Sequence, residues 1–273
     1  MCCKSKGLSP FMQWLVPTAV ACLITWIYAG FALNPHGLIT LPLVHCLHYN
    51  VGVGIMALSL GRCLMAKVRV DPKQHVPGDG SIELKYNGEK RFCRKCDLPK
   101  PDRTHHCSSC GSCIAKMDHH CVFLNKCIGL ENYKFFVLFL LWSAASCLNT
   151  AHLIWEYLFR SAFTALGRDL ASGSFSVLSS PFQLIAVFFT SLCVGAALVI
   201  FFFMHLYLTL CNMTTLEYCE KRGTIGFVNF YNVGVVANLH QVFGGTAIAL
   251  VPIYPAHMPA LRHRFPVNAM KFD

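Results

Sequence analysis

Apolar residues gather in four nearly unbroken runs, Pro10 to Leu33, Leu38 to Leu60, Phe135 to Phe159 and Pro181 to Leu210. A helix needs about 20 such residues to cross the roughly 30 Å hydrocarbon core of a bilayer, and each run supplies them. The pattern predicts an all-α integral membrane protein with four transmembrane helices in two pairs. Buried core helices of a soluble protein would be shorter and amphipathic. Asn34-Pro35-His36-Gly37 reads as a tight hairpin between the first two spans. The fourth run is the longest, about 45 Å at 1.5 Å per residue, so it should tilt or project past the bilayer. That would carry Thr214-Thr215-Leu216-Glu217 toward the polar middle of the chain.

Composition agrees with the pattern. The 273 residues are 55% hydrophobic and only 13% charged, too few charges for a soluble surface. Of 23 Lys and Arg residues, 21 precede the first run, lie between the second and third, or follow the fourth. Basic residues are retained on the cytosolic side, so both termini and the central polar segment are expected there. The formal charge of +10 then needs no nucleic acid partner. The sixteen cysteines come without a cleavable signal pattern, and in the reducing cytosol clustered thiols mean metal or catalysis rather than disulfides. The expected boundaries are 1–66 for the N-terminal tail and first two spans and 67–134 for a linker and cysteine-rich domain. The other two spans take 135–211, and a cytosolic tail takes 212–273.

Away from the centre, the signals are weaker. Cys2 and Cys3, beside Lys4 and Lys6, are candidates for lipidation. His45 and His48 lie one turn apart in the second span and read as packing or lumenal-end residues. Arg160 to Ser180 reads as a lumenal loop without a site. Ala247 to Ile253 is too short to span and should lie on the membrane surface or against the helices, with Arg262 and Arg264 meeting lipid headgroups.

The chemistry concentrates in Cys93 to Cys127, which holds seven cysteines and four histidines in thirty-five residues. Cys-x2-Cys recurs at 93/96, 107/110 and 110/113, the spacing with which two thiolates grip one tetrahedral zinc. Two closed four-ligand sites would leave three of the eleven candidates over, and spacing alone does not select them.

These residues, with the four runs, the Thr214-Thr215-Leu216-Glu217 segment and Asn238, resemble the DHHC family of protein S-acyltransferases. The resemblance implies two interleaved structural zinc ions, one held by Cys93, Cys96, His106 and Cys113 and the other by Cys107, Cys110, His120 and Cys127. It leaves His105, His119 and Cys121, and implies Cys121 as nucleophile, His119 as its base and Asp118 as the group orienting the imidazole. Thr215 would help position Asp118 and His119, and Asn238 would brace the tail against the loop. Adjacent His119 and His120 are expected on an irregular loop that lets them face apart. Where the family usually has Pro-Trp after the motif cysteine and asparagine further on, this chain has Val122-Phe123 and Lys126.

The implied function is transfer of a long-chain fatty acyl group, palmitoyl first, from acyl-coenzyme A through an acyl-Cys121 thioester to cysteines of membrane-associated client proteins. Lys100, Arg103 and His105 are candidates for the coenzyme A phosphates, Phe123 for the mouth of an acyl cavity and Ser146, amid Ser143-Ala144-Ala145-Ser146, for its depth or for helix packing. Two zinc ions are the expected cofactors, and the Golgi or endoplasmic reticulum the expected membrane, with the plasma membrane as alternative. The competing function is a zinc-stabilised membrane adaptor, catalytically weak or inactive.

Overall fold

The computed structural model describes residues 10–32, 43–71, 82–84, 88–172, 182–221, 226–262 and 264–268; Cys2, Cys3 and the 34–37 turn lie outside them. Four long helices carry the apolar runs: α1 Pro10–Ala32, α2 Leu43–Met65, α3 Tyr133–Ser172 and α4 Phe182–Leu210. All four are long and apolar enough to cross a membrane. Two differ from the sequence expectation. α2 continues five residues past the expected end at Leu60, to Met65, which places Arg62 in its last turn, where a cation suits the helix dipole; residues 38–42 of the expected start lie outside the described residues. α3 runs on through Arg160–Ser172, expected as loop. That segment has no proline and carries Ala, Leu and Arg, all good helix formers, so nothing stops the helix there.

Between α2 and α3 none of the described residues is helical. Six short strands form three antiparallel hairpins: β1 Phe92–Cys93 with β2 Leu98–Pro99, β3 His105–Cys107 with β4 Ser112–Ile114, and β5 His119–Cys121 with β6 Lys126–Ile128. The chain is therefore mostly helical rather than all-α. After α4 come α5 Thr215–Lys221, α6 Val235–Phe243, a 3-10 turn at Thr246–Ile248 and α7 Met258–Leu261.

The fold divides into two compact units. One, residues 18–57 and 139–202, is helical, and its core holds Ile27, Phe31, Tyr49, Ile154, Leu184 and Val187. Inside it Tyr49 and Thr150 share a hydroxyl–hydroxyl bond of 3.0 Å. A Cβ added at Gly52 would stand 3.7 Å from the Ser146 hydroxyl, so Ser146 serves a close helix–helix approach.

The other unit, residues 1–17, 58–138 and 203–273, contains the hairpins and the C-terminal tail. Its core joins Val70, Ala115 and Leu130 to Tyr231, Met258, Leu261 and Phe265 of the tail. The tail is fastened by Lys134, whose buried ammonium donates to the carbonyls of Phe243, Ile248 and Ile253 at 2.7–2.9 Å. The stretch around Ala247 to Ile253 thus lies against the start of α3. Arg262, expected at lipid headgroups, forms a two-pronged ion pair with Glu131 at 2.7 and 2.9 Å.

Candidate active site and metal centres

The three hairpins are copies of one pattern repeated every fourteen residues. Cys93, Cys107 and Cys121 occupy equivalent strand positions. Asp97, Gly111 and Asn125, equally spaced, close the turns with positive φ of 52°, 61° and 47°. Asp and Asn, with glycine, are the residues that tolerate this conformation best. In the first two copies the turn also holds a second cysteine, Cys96 or Cys110. In the third, that position is Leu124.

The first two cysteines of a copy join a histidine and a cysteine from the next hairpin. Cys93, Cys96, His106 and Cys113 bring their ligand atoms within 4.8 Å of one another, as do Cys107, Cys110, His120 and Cys127. His106 Nδ1 lies 3.5, 3.2 and 4.0 Å from the sulfurs of Cys93, Cys96 and Cys113. His120 Nδ1 lies 3.7, 3.4 and 3.6 Å from those of Cys107, Cys110 and Cys127. Tetrahedral zinc with ordinary Zn–N and Zn–S lengths would separate N from S by about 3.6 Å, so both donor sets fit a closed three-sulfur, one-nitrogen site. Carried on by the same fourteen residues, the third copy would call on Lys134 and Leu141, which are not ligands of this kind. Cys121 is thereby left outside the metal-binding groups.

Strand geometry explains how neighbouring residues divide their duties. Along β5, His119 and Cys121 face one side and His120 the other, because successive side chains of a strand alternate. An ordered strand, not an irregular loop, turns the two histidines apart. His119 Nδ1 is 2.6 Å from Asp118 Oδ2. Asp118 is buried and receives two further bonds, from the Thr215 N–H at 2.9 Å and the Thr215 hydroxyl at 2.8 Å. Burial pushes the Asp118 carboxyl up, but His119, the nearby His205 and the Thr215 N–H outweigh it and hold the group ionised below its usual range. Burial also opposes charge on His119, yet its bonds to Asp118 and then to Cys121 raise its pKa to about 9.

Two residues that the sequence does not single out complete the surroundings. His205, buried in α4, stands 4.0 Å from Asp118 Oδ2 and packs beside the His119 ring at 5.8 Å, with Phe136 edge-on to both. The Tyr133 hydroxyl meets His205 Nδ1 at 3.2 Å. No local motif marks them, since they reach the site only through the packing of α3 and α4.

The remaining sequence candidates fare differently. Lys100 and His105 are half-buried near the first two hairpins, and burial, then the Arg91 charge, lowers the His105 pKa. Val122 and Phe123 form the exposed tip of the third hairpin, 58% and 54% accessible. Arg103 is not a phosphate contact. Its side chain is 0% exposed, bonded to both Glu217 oxygens and to Asn212, with Tyr231 4.4 Å and Phe265 5.4 Å from the guanidinium. A guanidinium enclosed in this way has no open face for a coenzyme. Asn238 pins the Leu210 carbonyl and the turn at Asn232 and Val233, bracing the tail against the end of α4 rather than against the cysteine-rich stretch itself. Lys126 donates to the Leu64 carbonyl, so its cation caps the last turn of α2. Ser146 belongs to the other compact unit.

Comparison with known proteins finds similar chains. Palmitoyltransferase ZDHHC15 of Rattus norvegicus is 39% identical over 187 residues, covering 67% of this chain and 52% of the relative. Palmitoyltransferase ZDHHC20 of Homo sapiens is 40% identical over 157 residues, 56% of this chain and 40% of the relative. Palmitoyltransferase PFA3 of Gibberella zeae is 32% identical over 210 residues, 76% of this chain and 32% of the relative. The chain thus spans about half the length, or less, of these curated relatives. A family model described as DHHC palmitoyltransferase matches residues 86–222, from just before the first hairpin to the end of α5. Half of the chain, including every residue of both ligand sets and the Asp118–Cys121 segment, follows that pattern, and the chain belongs to the DHHC palmitoyltransferase family.

Proposed function

We propose that the chain is a membrane-embedded protein S-acyltransferase using Cys121 as nucleophile, with long-chain acyl-coenzyme A as donor and cysteines of membrane-associated proteins as acceptors. The observation that carries this reading is the hydrogen-bonded line Thr215–Asp118–His119, with the Cys121 thiol two residues along β5 on the same face as His119. A thiol outside both metal groups is backed by an imidazole whose other nitrogen is fixed by a buried carboxylate. That is the arrangement of an activated nucleophile.

In the first step His119 takes the Cys121 proton and the thiolate attacks the acyl-thioester carbonyl. A new C–S bond forms at Cys121, the bond to the coenzyme A sulfur breaks, and the proton passes from His119 to that leaving thiolate. In the second step His119 accepts the proton of the client thiol, the client sulfur attacks the acyl-Cys121 carbonyl, and Cys121 leaves with the proton returned to it. Both bonds exchanged are thioesters, so the group remains transferable.

The four apolar helices act as membrane spans, with the termini and hairpins on the cytosolic side where the basic residues lie, in the Golgi or endoplasmic reticulum. Each Cys3His group holds one structural zinc, which fixes the hairpins and activates no water, since all four positions are filled by protein. Lys100 and His105 remain the candidates for coenzyme A phosphates, and Phe123 for the acyl entrance.

The test is incubation of the purified chain with a traceable fatty acyl-coenzyme A. A hydroxylamine-labile label should appear on wild type and vanish in Cys121→Ala with zinc content unchanged. An unlabelled wild type, or an equally labelled variant, would leave a metal-stabilised membrane adaptor as the better account.

A further inference from the structure

A groove of about 970 Å³ opens in the hairpin-bearing unit where α2 ends. Its walls come from the last turn of α2, residues 66–71 of the following linker, Lys126 of β6, and Glu131, Tyr254 and Arg262. Five cations, Arg62, Lys67, Arg69, Lys126 and Arg262, face two carboxylates, Asp71 and Glu131, a formal excess of three positive charges. Nothing in the proposed acyl transfer uses this surface.

Two of the cations already have work inside the protein. Arg262 is held by Glu131, and Lys126 by the Leu64 carbonyl. Arg62, which lies 6.0 Å from the Phe135 ring, and the exposed Lys67 and Arg69 supply the excess. Beside them the wall is apolar, with Met65 76% exposed and Tyr254 packed on Phe135. A cationic groove flanked by exposed apolar side chains suits a ligand that is anionic at one end and greasy at the other. The volume is at the upper end of small-molecule pockets, which run to about 1,000 Å³, and takes more than a single phosphate.

We propose that this groove binds the phosphorylated headgroup of a membrane lipid, of the kind that carries several phosphates on a sugar or cyclitol ring. The inference rests on the reading of α2 as a membrane span, because that reading sets its last turn, and so the groove, at headgroup depth. Arginine pairs with phosphate oxygens in two-pronged fashion, and Arg62 and Arg69 give the groove two such forks. Juxtamembrane cations also gain from the anionic cytosolic leaflet. The rival ligand is coenzyme A, since Lys126 is the cross-strand partner of Cys121 and the groove begins one strand away from the nucleophile.

The experiment uses the full chain in detergent with water-soluble dioctanoyl phosphatidylinositol bisphosphate, then in phosphatidylcholine nanodiscs with and without the long-chain form of that lipid. Lys67→Glu/Arg69→Glu should weaken binding about tenfold or more, while acyl-enzyme formation from acyl-coenzyme A keeps its KM. Both residues are exposed, so the variant should fold, and its zinc content reports that it has. Displacement of the lipid by free coenzyme A, or a raised KM for acyl-coenzyme A in the variant, would make the groove part of the co-substrate site and overturn the proposal. Equal affinity for dioctanoyl phosphatidylserine would overturn it too, as mere surface charge. Lipid binding without acyl-enzyme would count against the acyltransferase reading alone, and acyl-enzyme without lipid binding against the groove alone.

Discussion

Arg103 and Glu217, 114 residues apart in sequence, form a two-pronged ion pair, both nitrogen–oxygen distances 2.7 Å, in the interior of the hairpin-bearing unit. Glu217 also accepts the N–H of Thr214, and so fixes the turn from which Thr215 reaches Asp118. The pair thus links the cysteine-rich stretch to the residue that holds the candidate catalytic carboxylate.

Removing one partner should be costlier than the pair is worth, because the other charge stays buried without compensation. Glu217→Ala or Arg103→Ala is expected to lower stability by about 3–5 kcal/mol, read from denaturant unfolding. Arg103→Lys should recover little, since an ammonium cannot form both bonds to Glu217 together with those to Asn212. Equal stability of Arg103→Lys and wild type would show that charge, not the fork, is what matters.

The same pair predicts an acid limit. Burial raises the Glu217 carboxyl, but the Arg103 charge and hydrogen bond outweigh it, bringing the pKa from 4.5 to about 2. A carboxylate depressed in the folded state stabilises fully above its unfolded pKa and loses that contribution as pH falls through the folded one. Wild type should therefore lose stability between pH 4.5 and about 2 more steeply than Glu217→Gln does. Parallel slopes in acid unfolding would refute this assignment.

Thr215 gives Asp118 one backbone and one hydroxyl bond, and substitution separates them. Thr215→Ala should slow acyl-enzyme formation roughly tenfold, the size of one charge-assisted hydrogen bond, with zinc content and KM for acyl-coenzyme A unchanged. Thr215→Ser, which keeps the hydroxyl, should restore most of the rate. If serine is no better than alanine, the methyl group's packing is responsible instead.

How much of the fold and site is legible in the sequence depends on the range of the interaction. The four helices and the cysteine spacing are local patterns, and the chain displays them directly. Arg103 reads as a loop cation because nothing nearby reveals that Tyr231, Phe265 and Glu217 will enclose it. His205 is hidden for the same reason, within a run that otherwise spells membrane helix, and so is Tyr133, just before another such run. The apolar run ends short of α2 because it marks what can lie in lipid, and a helix continues past that limit while its backbone bonds hold. The fourteen-residue spacing of Cys93, Cys107 and Cys121 is present in the sequence, but that each pair of thiols takes its histidine and third cysteine from the next hairpin, which leaves Cys121 out, follows from the hairpin pairing in the structure.

Metal removal provides a further check. Each chain is expected to bind two zinc ions, and a strong chelator, or Cys107→Ala, should lower unfolding temperature and abolish acyl-enzyme formation together, because the ligands bridge successive hairpins. Element analysis giving one ion, or none, would contradict the two ligand sets.

The third hairpin yields the sharpest substitution. Cys121 stands where Cys93 and Cys107 stand in their copies, and Leu124, buried in its turn, replaces the second thiol. Leu124→Cys would recreate Cys-x2-Cys, but positions 134 and 141 hold lysine and leucine, so a third four-ligand site does not follow. The new thiol should instead form a disulfide with Cys121. The variant is expected to lose acyl-enzyme formation under mild oxidant, to regain it with reductant, and to keep two zinc ions throughout. Activity that persists under oxidant would show that the third turn differs from the other two, and a third bound zinc would show that Cys121 is not excluded from metal by its missing partners.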